Sequence, residues 1–375
     1  MPAQTVRTFD DWIREFQAWQ TEIGFPKQLL GDFKFEEKFG DPCGPNVEFG
    51  EFKGRPKWET PMQVPLQDMR DGLMNLIVYQ GDTEFASVEQ QRHLVKTAPT
   101  DYDLKSILRV MSEEMRHGWQ MCYLLVTHFG KTGAIEAQKQ LQRRSWNKER
   151  LLGSFNEPVD HWLDFFTYTD FVDRDGKYQL RMLSHSGFAP LAKSMGPMLK
   201  EESFHLGTGQ TGLRRILQAG KIPTAIVQQY FNKWVPTAFD LFGKDKSTPA
   251  RLYYVWGLKG RYDEDTNAET PDLDDLNAHA RALYRREVEE LVVQLNALLA
   301  PGEPKLVVPD LKFRRDPKLS EHGGQPYDIH GKRLSDREYE DYLARNLPNE
   351  ETKARLDEIF KTPDWIAPKG GPAAA

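Results

Sequence analysis

A spacing that occurs twice constrains this chain more than any other feature. Glu114-Met115-Arg116-His117 and Glu202-Ser203-Phe204-His205 each set a carboxylate and an imidazole three residues apart. On an α-helix such residues share one face, a turn apart, and aim at one point. A single Glu-x-x-His arises by chance in many helices. Two copies become informative when each has a further acid on a neighbouring helix, because di-metal bundles take one acid from each of two helices and a Glu-x-x-His from each of the other two. Glu84 precedes Glu114 by 30 residues, and Asp173 precedes Glu202 by 29. Each half therefore reads as an acid, an antiparallel return, and a Glu-x-x-His at matching depth.

The flanking patterns agree. From Leu66 to about Thr97 one helical stripe carries Met69, Leu73, Leu76, Ile77, Gln80, Glu84, Val88 and Gln91. A second helix, capped by Asp101 or Asp103 after Pro99 and ended at Phe129-Gly130, has the stripe Leu104, Ile107, Leu108, Met111, Glu114, Met115, Gly118, Cys122 and Leu125, with Arg109 and Arg116 pointing out. The stretch 130–158 is basic and amphipathic and predicts a connector helix. A third core helix starts near Val159, its stripe running through Trp162, Phe165, Phe166, Thr169, Asp173, Gly176, Leu180 and Leu183. The fourth spans Leu191 to about Leu206 and aligns Met195, Met198, Leu199, Glu202 and His205, with Gly207 and Gly209 ending or loosening it. Acids on apolar stripes cost several kcal/mol unless paired or coordinated. Four carboxylates and two imidazoles facing one interior, with no thiolate, suit iron or manganese better than structural zinc.

Other residues compete for these places. Glu113 and Glu201 adjoin the chosen glutamates but lack a histidine three residues on, and solvation suits them better. Asp170 competes with Asp173, yet Arg174 and Lys177 nearby suggest a polar face with surface ion pairs. Glu89 lies 25 residues from Glu114, a poorer fit to the hairpin. His93, His128, His161 and His185 lack an acid partner at this spacing and read as surface or structural histidines. An apolar wall around the metals would keep water from an oxidant. Met111, Met115, Phe165, Phe166 and Met198 are candidates for it, although each also suits ordinary packing. Gln80, one turn before Glu84, is placed either to orient a ligand or to contact substrate.

Charge and composition exclude several classes. The net charge of −6, without a block of basic residues, argues against nucleic acid as partner. No run of 18 apolar residues occurs, and Met1 to Asp10 lack the apolar core of a secretory leader, so a cytoplasmic protein without membrane contact is expected. Two cysteines, Cys43 and Cys122, are too few for a cysteine-ligated cluster. Cys122, on an apolar stripe, reads as a small buried hydrophobe, and any iron–sulfur electron carrier belongs to another protein.

Mainly α structure is predicted: a ferritin-like four-helix bundle with a di-metal centre, extra helices and an irregular N-terminal segment. Residues 1–65 are an amphipathic helix, capped by Thr8 or Asp10, followed by a Gly-, Pro- and aromatic-rich packing segment with a hairpin or extended loop at FGEFKGRPKW. Residues 66–245 form the bundle, 246–366 a helical extension packed on it, and 367–375 a flexible tail. Within the extension, helices are expected over 274–299, 336–346 and 350–361.

Five stretches then resemble one family. GDTEFASVEQQRHL with the following TAP, EEMRHGWQMCYLL, DRDGKYQL, MLKEESFHL and GLKGRYDED resemble the oxygenase components of benzoyl-CoA 2,3-epoxidases, and weaker likeness continues at RLSDREY and DWIAP. The chain is similar, more distantly, to phenylacetyl-CoA epoxidase catalytic subunits. This resemblance implies a ferritin-like di-iron monooxygenase or epoxidase that inserts one atom of O₂ into the ring of an aryl-CoA thioester, with electrons from a separate NADPH-dependent flavin and iron–sulfur reductase. Its iron ligands fall on Glu84, Glu114, His117, Asp173, Glu202 and His205, the set that spacing selects, with Glu84, Glu114 and Glu202 as the catalytic carboxylates. Gln80, Phe85, Met111, Phe165, Phe166 and Met198 are candidates for the substrate pocket. Two departures leave the acyl group open: Phe85 stands where proline is expected, and the region after residue 265 is shorter than in the family. Lys259 and Arg261 are weak candidates for CoA phosphate contacts. A homodimer is compatible with this reading. The alternatives are another di-iron oxidase, such as an N-oxygenase acting on a carrier-bound substrate, and a non-catalytic ferritin-like iron-binding protein.

Overall fold

A computed structural model describes residues 5–41 and 44–370, so Cys43 and the end of the tail lie outside the described residues. Among the described residues, eleven α-helices and short 3₁₀ turns account for the regular structure. They are α1 (Phe9–Glu22), α2 (Gln67–Gln91), α3 (Asp101–His128), α4 (Gly130–Gln142), α5 (Trp162–Ser184), α6 (Ala189–Ala219), α7 (Thr224–Leu241), α8 (Thr248–Val255), α9 (Leu276–Asn296), α10 (Asp336–Asn346) and α11 (Glu350–Phe360). Among the described residues only isolated β-bridges occur, one of them closing 46 onto 56 in the predicted hairpin region. No helix of the described residues is long and apolar enough to cross a membrane.

The chain divides into two units. The first comprises residues 1–159, 179–202 and 248–273, the second 160–178, 203–247 and 274–375. In the first, α1 begins with a capping box in which Thr8 and Asp11 exchange side-chain and backbone hydrogen bonds. Thr100 caps α3, receiving the amide of Asp103. The expected caps Asp101 and Asp103 are instead acids of the first turn, where they meet the positive end of the helix dipole. α2 packs along α3, and its Phe85 ring sits where Gly118 leaves α3 without a side chain. A Cβ at Gly118 would stand 2.5 Å from the ring of Phe85, so glycine lets the two helices close around that phenylalanine.

Helix α4 stops at Gln142, short of the predicted connector. Buried ion pairs explain the break. Arg143 and Arg150 converge on Asp82, Arg150 also reaches Glu89, and Glu89 accepts from Trp19 Nε1 and the Ser145 amide. A continuous helix would spread these arginines along an exposed face. Glu89 is thus a structural acid holding the loop after α4.

α6 extends to Ala219, well beyond the expected end near Leu206. Two devices allow it. Pro197 lacks the amide hydrogen that would bond the Lys193 carbonyl, and Gly40 N supplies one instead at 2.8 Å. Gly207 and Gly209 do not end the helix. In the second unit, a Cβ at Gly209 would come within 2.6 Å of Asp170 N and one at Gly212 within 2.1 Å of the Phe166 ring. The glycines are therefore the seam along which α5 and α6 approach. In an open helix Gly→Ala stabilises by ~1 kcal/mol. Because the atom facing Gly209 is backbone, Gly209→Ala is expected to destabilise by about 1–3 kcal/mol, the cost of overpacking and helix displacement. Urea unfolding checks the sign; a variant as stable as the parent would refute this seam.

Candidate metal centre

Helix geometry brings most of the predicted donors together within the first unit. α2 presents Glu84, α3 presents Glu114 and His117, and α6 presents Glu202. Each offers one donor atom, all within 4.8 Å of one another, and all four residues are buried. His117 Nδ1 lies 3.2 Å from Glu84 Oε2 and 3.4 Å from Glu202 Oε1. In the second unit an Asp173 oxygen and a His205 nitrogen also lie within 4.8 Å, and both residues are buried.

The donor chemistry fits a metal ion. Oxygen and imidazole donors sit at about 2.0–2.2 Å from a first-row divalent ion, so donors sharing one ion are at most roughly 4.4 Å apart. The observed clustering needs only a small closure. Three buried carboxylates in so small a volume repel one another, and a multivalent cation among them offsets that repulsion. Burial alone would raise the Glu84 carboxyl, but the charge and hydrogen bonds of His117 outweigh it and hold Glu84 below the usual range. Burial likewise works to depress His117, yet Glu84 and the hydrogen bond to Glu201 raise it.

Glu201 and Arg116 are the residues that the sequence reading misplaced. Arg116 was expected to point outward and is fully buried; Glu201 was expected to be solvated and has a side chain only 13% exposed. Glu201 accepts from Arg116 Nε at 3.0 Å, pairs also with Arg116 Nη2 and with Lys38, and lies 2.8 Å from His117 Nε2. It therefore fixes the ring so that Nδ1 faces the donor cluster, as carboxylates behind metal-binding histidines do. A signal was present, since an acidic doublet precedes each histidine: Glu113-Glu114 and Glu201-Glu202. Glu113, also expected to be solvated, is buried and receives Arg109 Nε at 2.8 Å.

Asp170 departs from expectation too. It is fully buried and bound by Arg174 at 2.6 Å, and Arg174 and Lys177 both reach Glu287. The pair is internal to the fold because α9 supplies a second carboxylate. Arg261 is buried against Glu264 and the Asn267 carbonyl, and Lys259 donates to Gln179. The charge of Arg261 is thus paired internally, while Lys259 is half-buried.

The candidate pocket residues divide. Gln80 Nε2 donates to Glu84 Oε1 at 2.5 Å. Met111 and Met198 are fully buried in the first unit. Phe85 stands in an aromatic cluster, edge-on to Trp19 with centroids 5.1 Å apart. In the second unit Phe165 meets Trp162 edge-on and Phe166 lies tilted against it. Among the other histidines, His185 is buried on Glu48 and His161 is bonded to Tyr230. Cys122 is buried, its thiol pushed well up by burial, with Sγ on Gln140.

A mainly helical chain whose buried glutamates and histidine converge on one point has the fold and donor set that fit a di-metal carboxylate site. The chain belongs to the phenylacetic acid catabolic protein family, whose model matches residues 59–297, and this family is ferritin-like. It is similar to benzoyl-CoA oxygenase component B of Aromatoleum evansii, with 43% identity over 240 residues, 58% of this chain and 50% of that protein. It is also similar to a 1,2-phenylacetyl-CoA epoxidase subunit of Escherichia coli (strain K12), with 23% identity over 192 residues, 51% of this chain and 60% of the relative. The matches thus span about half to three fifths of the curated relatives' own lengths.

Proposed function

We propose that this chain is the oxygenase component of a cytoplasmic di-iron enzyme that epoxidises or hydroxylates the ring of an aromatic acyl-CoA thioester, benzoyl-CoA or a close analogue. The observation that carries the reading is the convergence of Glu84, Glu114, His117 and Glu202 on one point, in a chain of this family. Asp173 and His205, within 4.8 Å of each other in the second unit, are the further ligands of this reading. The names of both relatives, an oxygenase and an epoxidase of aryl-CoA thioesters, support the substrate class.

When bound, two ferrous ions supply electrons for O₂ activation. The balance is one aryl ring, O₂, NADPH and a proton giving the epoxide, water and NADP⁺, with a separate flavin and iron–sulfur reductase delivering the electrons. The chain's own residues do the rest. Glu201 holds the His117 ring with Nδ1 toward the donors, and Gln80 orients Glu84. Met111 and Met198 provide dry, apolar surface that excludes water. The thioester activates the ring and is the handle by which the substrate is held.

Purified protein loaded anaerobically with Fe²⁺ and supplied with a reductase and NADPH is expected to consume O₂ in step with benzoyl-CoA. Free benzoate should be inert. Iron uptake with NADPH oxidation indifferent to any aryl-CoA would overturn the reading in favour of an iron-binding protein without turnover.

A further inference from the structure

We propose that the hydroxyl of Thr169 is a hydrogen-bond donor to a small anionic or oxygen ligand of a metal ion held by Asp173 and His205. The inference rests on the metal-binding reading above and adds to it a residue that is not itself a ligand.

In the second unit, Thr169 lies on α5 one turn before Asp173, so the two side chains share a face. On that face the Asp173 carboxylate meets the His205 imidazole within 4.8 Å. Thr169 is fully buried, and its Oγ1 has no hydrogen-bond partner among the described residues. Other buried hydroxyls in these helices behave differently. Thr167, two residues earlier on α5, donates to the Leu163 carbonyl at 2.8 Å. Ser112 donates to Leu108 O, Ser194 to Pro190 O, Thr208 to Phe204 O and Thr237 to Lys233 O.

Bonding back to the preceding turn is how a helical hydroxyl escapes the penalty of burial. Thr169 does not do so. Valine has the same shape without that penalty, so folding alone gives no reason for a hydroxyl here. A donor left over by the fold, on the face where a carboxylate and an imidazole converge, is suited to an acceptor that arrives from outside. Beside a cation that acceptor is a small anion or an oxygen-bearing ligand. The packing is tight enough to fix the donor, since Gly209 and Gly212 bring α6 onto the adjoining residues Phe166 and Asp170.

Azide is the probe, titrated into full-length protein loaded with iron and oxidised to the ferric state, and followed by its charge-transfer absorption. Thr169→Val is expected to take up metal at the parent stoichiometry and to unfold at a temperature no lower than the parent. Its azide affinity should fall about tenfold, the usual worth of a hydrogen bond to a charged acceptor. Thr169→Ser should recover to within about threefold of the parent. Parent-like azide binding by Thr169→Val would overturn the proposal, as would a serine variant no better than valine, which would make the methyl group the relevant feature. A valine variant that melts earlier with azide affinity unchanged would mark the hydroxyl as structural and overturn it equally. If the parent protein takes up no metal, the metal-binding reading falls first; if it loads metal and binds azide while the variants match it, only the role of Thr169 falls.

Discussion

Glu114→Ala is expected to abolish metal loading and to lower aryl-CoA-dependent O₂ consumption at least ~100-fold, a loss of roughly 2.7 kcal/mol or more in transition-state stabilisation. Glu114 is one of four buried donors that share a single small volume with Glu84, His117 and Glu202. Its removal deletes a ligand atom and leaves a void that water or a chloride fills poorly. The metal-free protein should respond in the opposite direction. Glu84, Glu114 and Glu202 are mutually repelling acids in the interior, so deleting one should raise the metal-free melting temperature, by the equivalent of about 1 kcal/mol. An ordinary core truncation would lower it by 2–5 kcal/mol. Metal analysis together with calorimetry of metal-free and loaded protein separates the cases. Full iron content with full activity in Glu114→Ala would remove the centre from where we place it.

The second large effect is expected at Glu201. Arg116 is fully buried, and Glu201 is the carboxylate that accepts from its Nε and Nη2. Glu201→Ala leaves that guanidinium in the interior without this partner, which costs ~3 kcal/mol or more. It also frees the His117 ring to turn, since Glu201 holds Nε2 at 2.8 Å. Metal affinity should fall about 10–100-fold, the range found when a carboxylate behind a histidine ligand is lost. The two consequences can be separated. The double variant Glu201→Ala/Arg116→Met removes the stranded charge and should regain most of the stability while metal affinity stays low. Chemical unfolding of the metal-free proteins and competitive chelator titration of the loaded ones give the two numbers independently. If Arg116→Met restored metal affinity along with stability, Glu201 would matter for packing alone.

These predictions rest on residues of very different legibility. Glu84, Glu114, His117, Asp173, Glu202 and His205 were singled out as candidate donors by spacing, because a helix converts a sequence interval into a direction and an acid on an apolar stripe stands out against its neighbours. Helices α2, α3, α10 and α11 were legible for the same reason. Arg116 and Glu201 were not, since their partners lie 85 residues apart on different helices and each, read alone, is an ordinary polar residue. Gly207 and Gly209 resembled a helix end because local propensity counts glycine as a breaker. In the fold, Gly209 and Gly212 mark a close approach, where the absence of a side chain is what packing requires.

The sequence by itself determined the helical class and singled out the candidate donor residues. These are encoded in periodicity, and periodicity is a one-dimensional property. Tertiary structure alone decided which polar residues are buried, that α6 runs past its glycines, that α4 stops early for the arginines bound to Asp82 and Glu89, and that Glu201 rather than solvent stands behind His117. Each of these depends on an ion pair or a steric contact between residues distant in the chain. The energy of such a contact exists only when the fold brings both partners together.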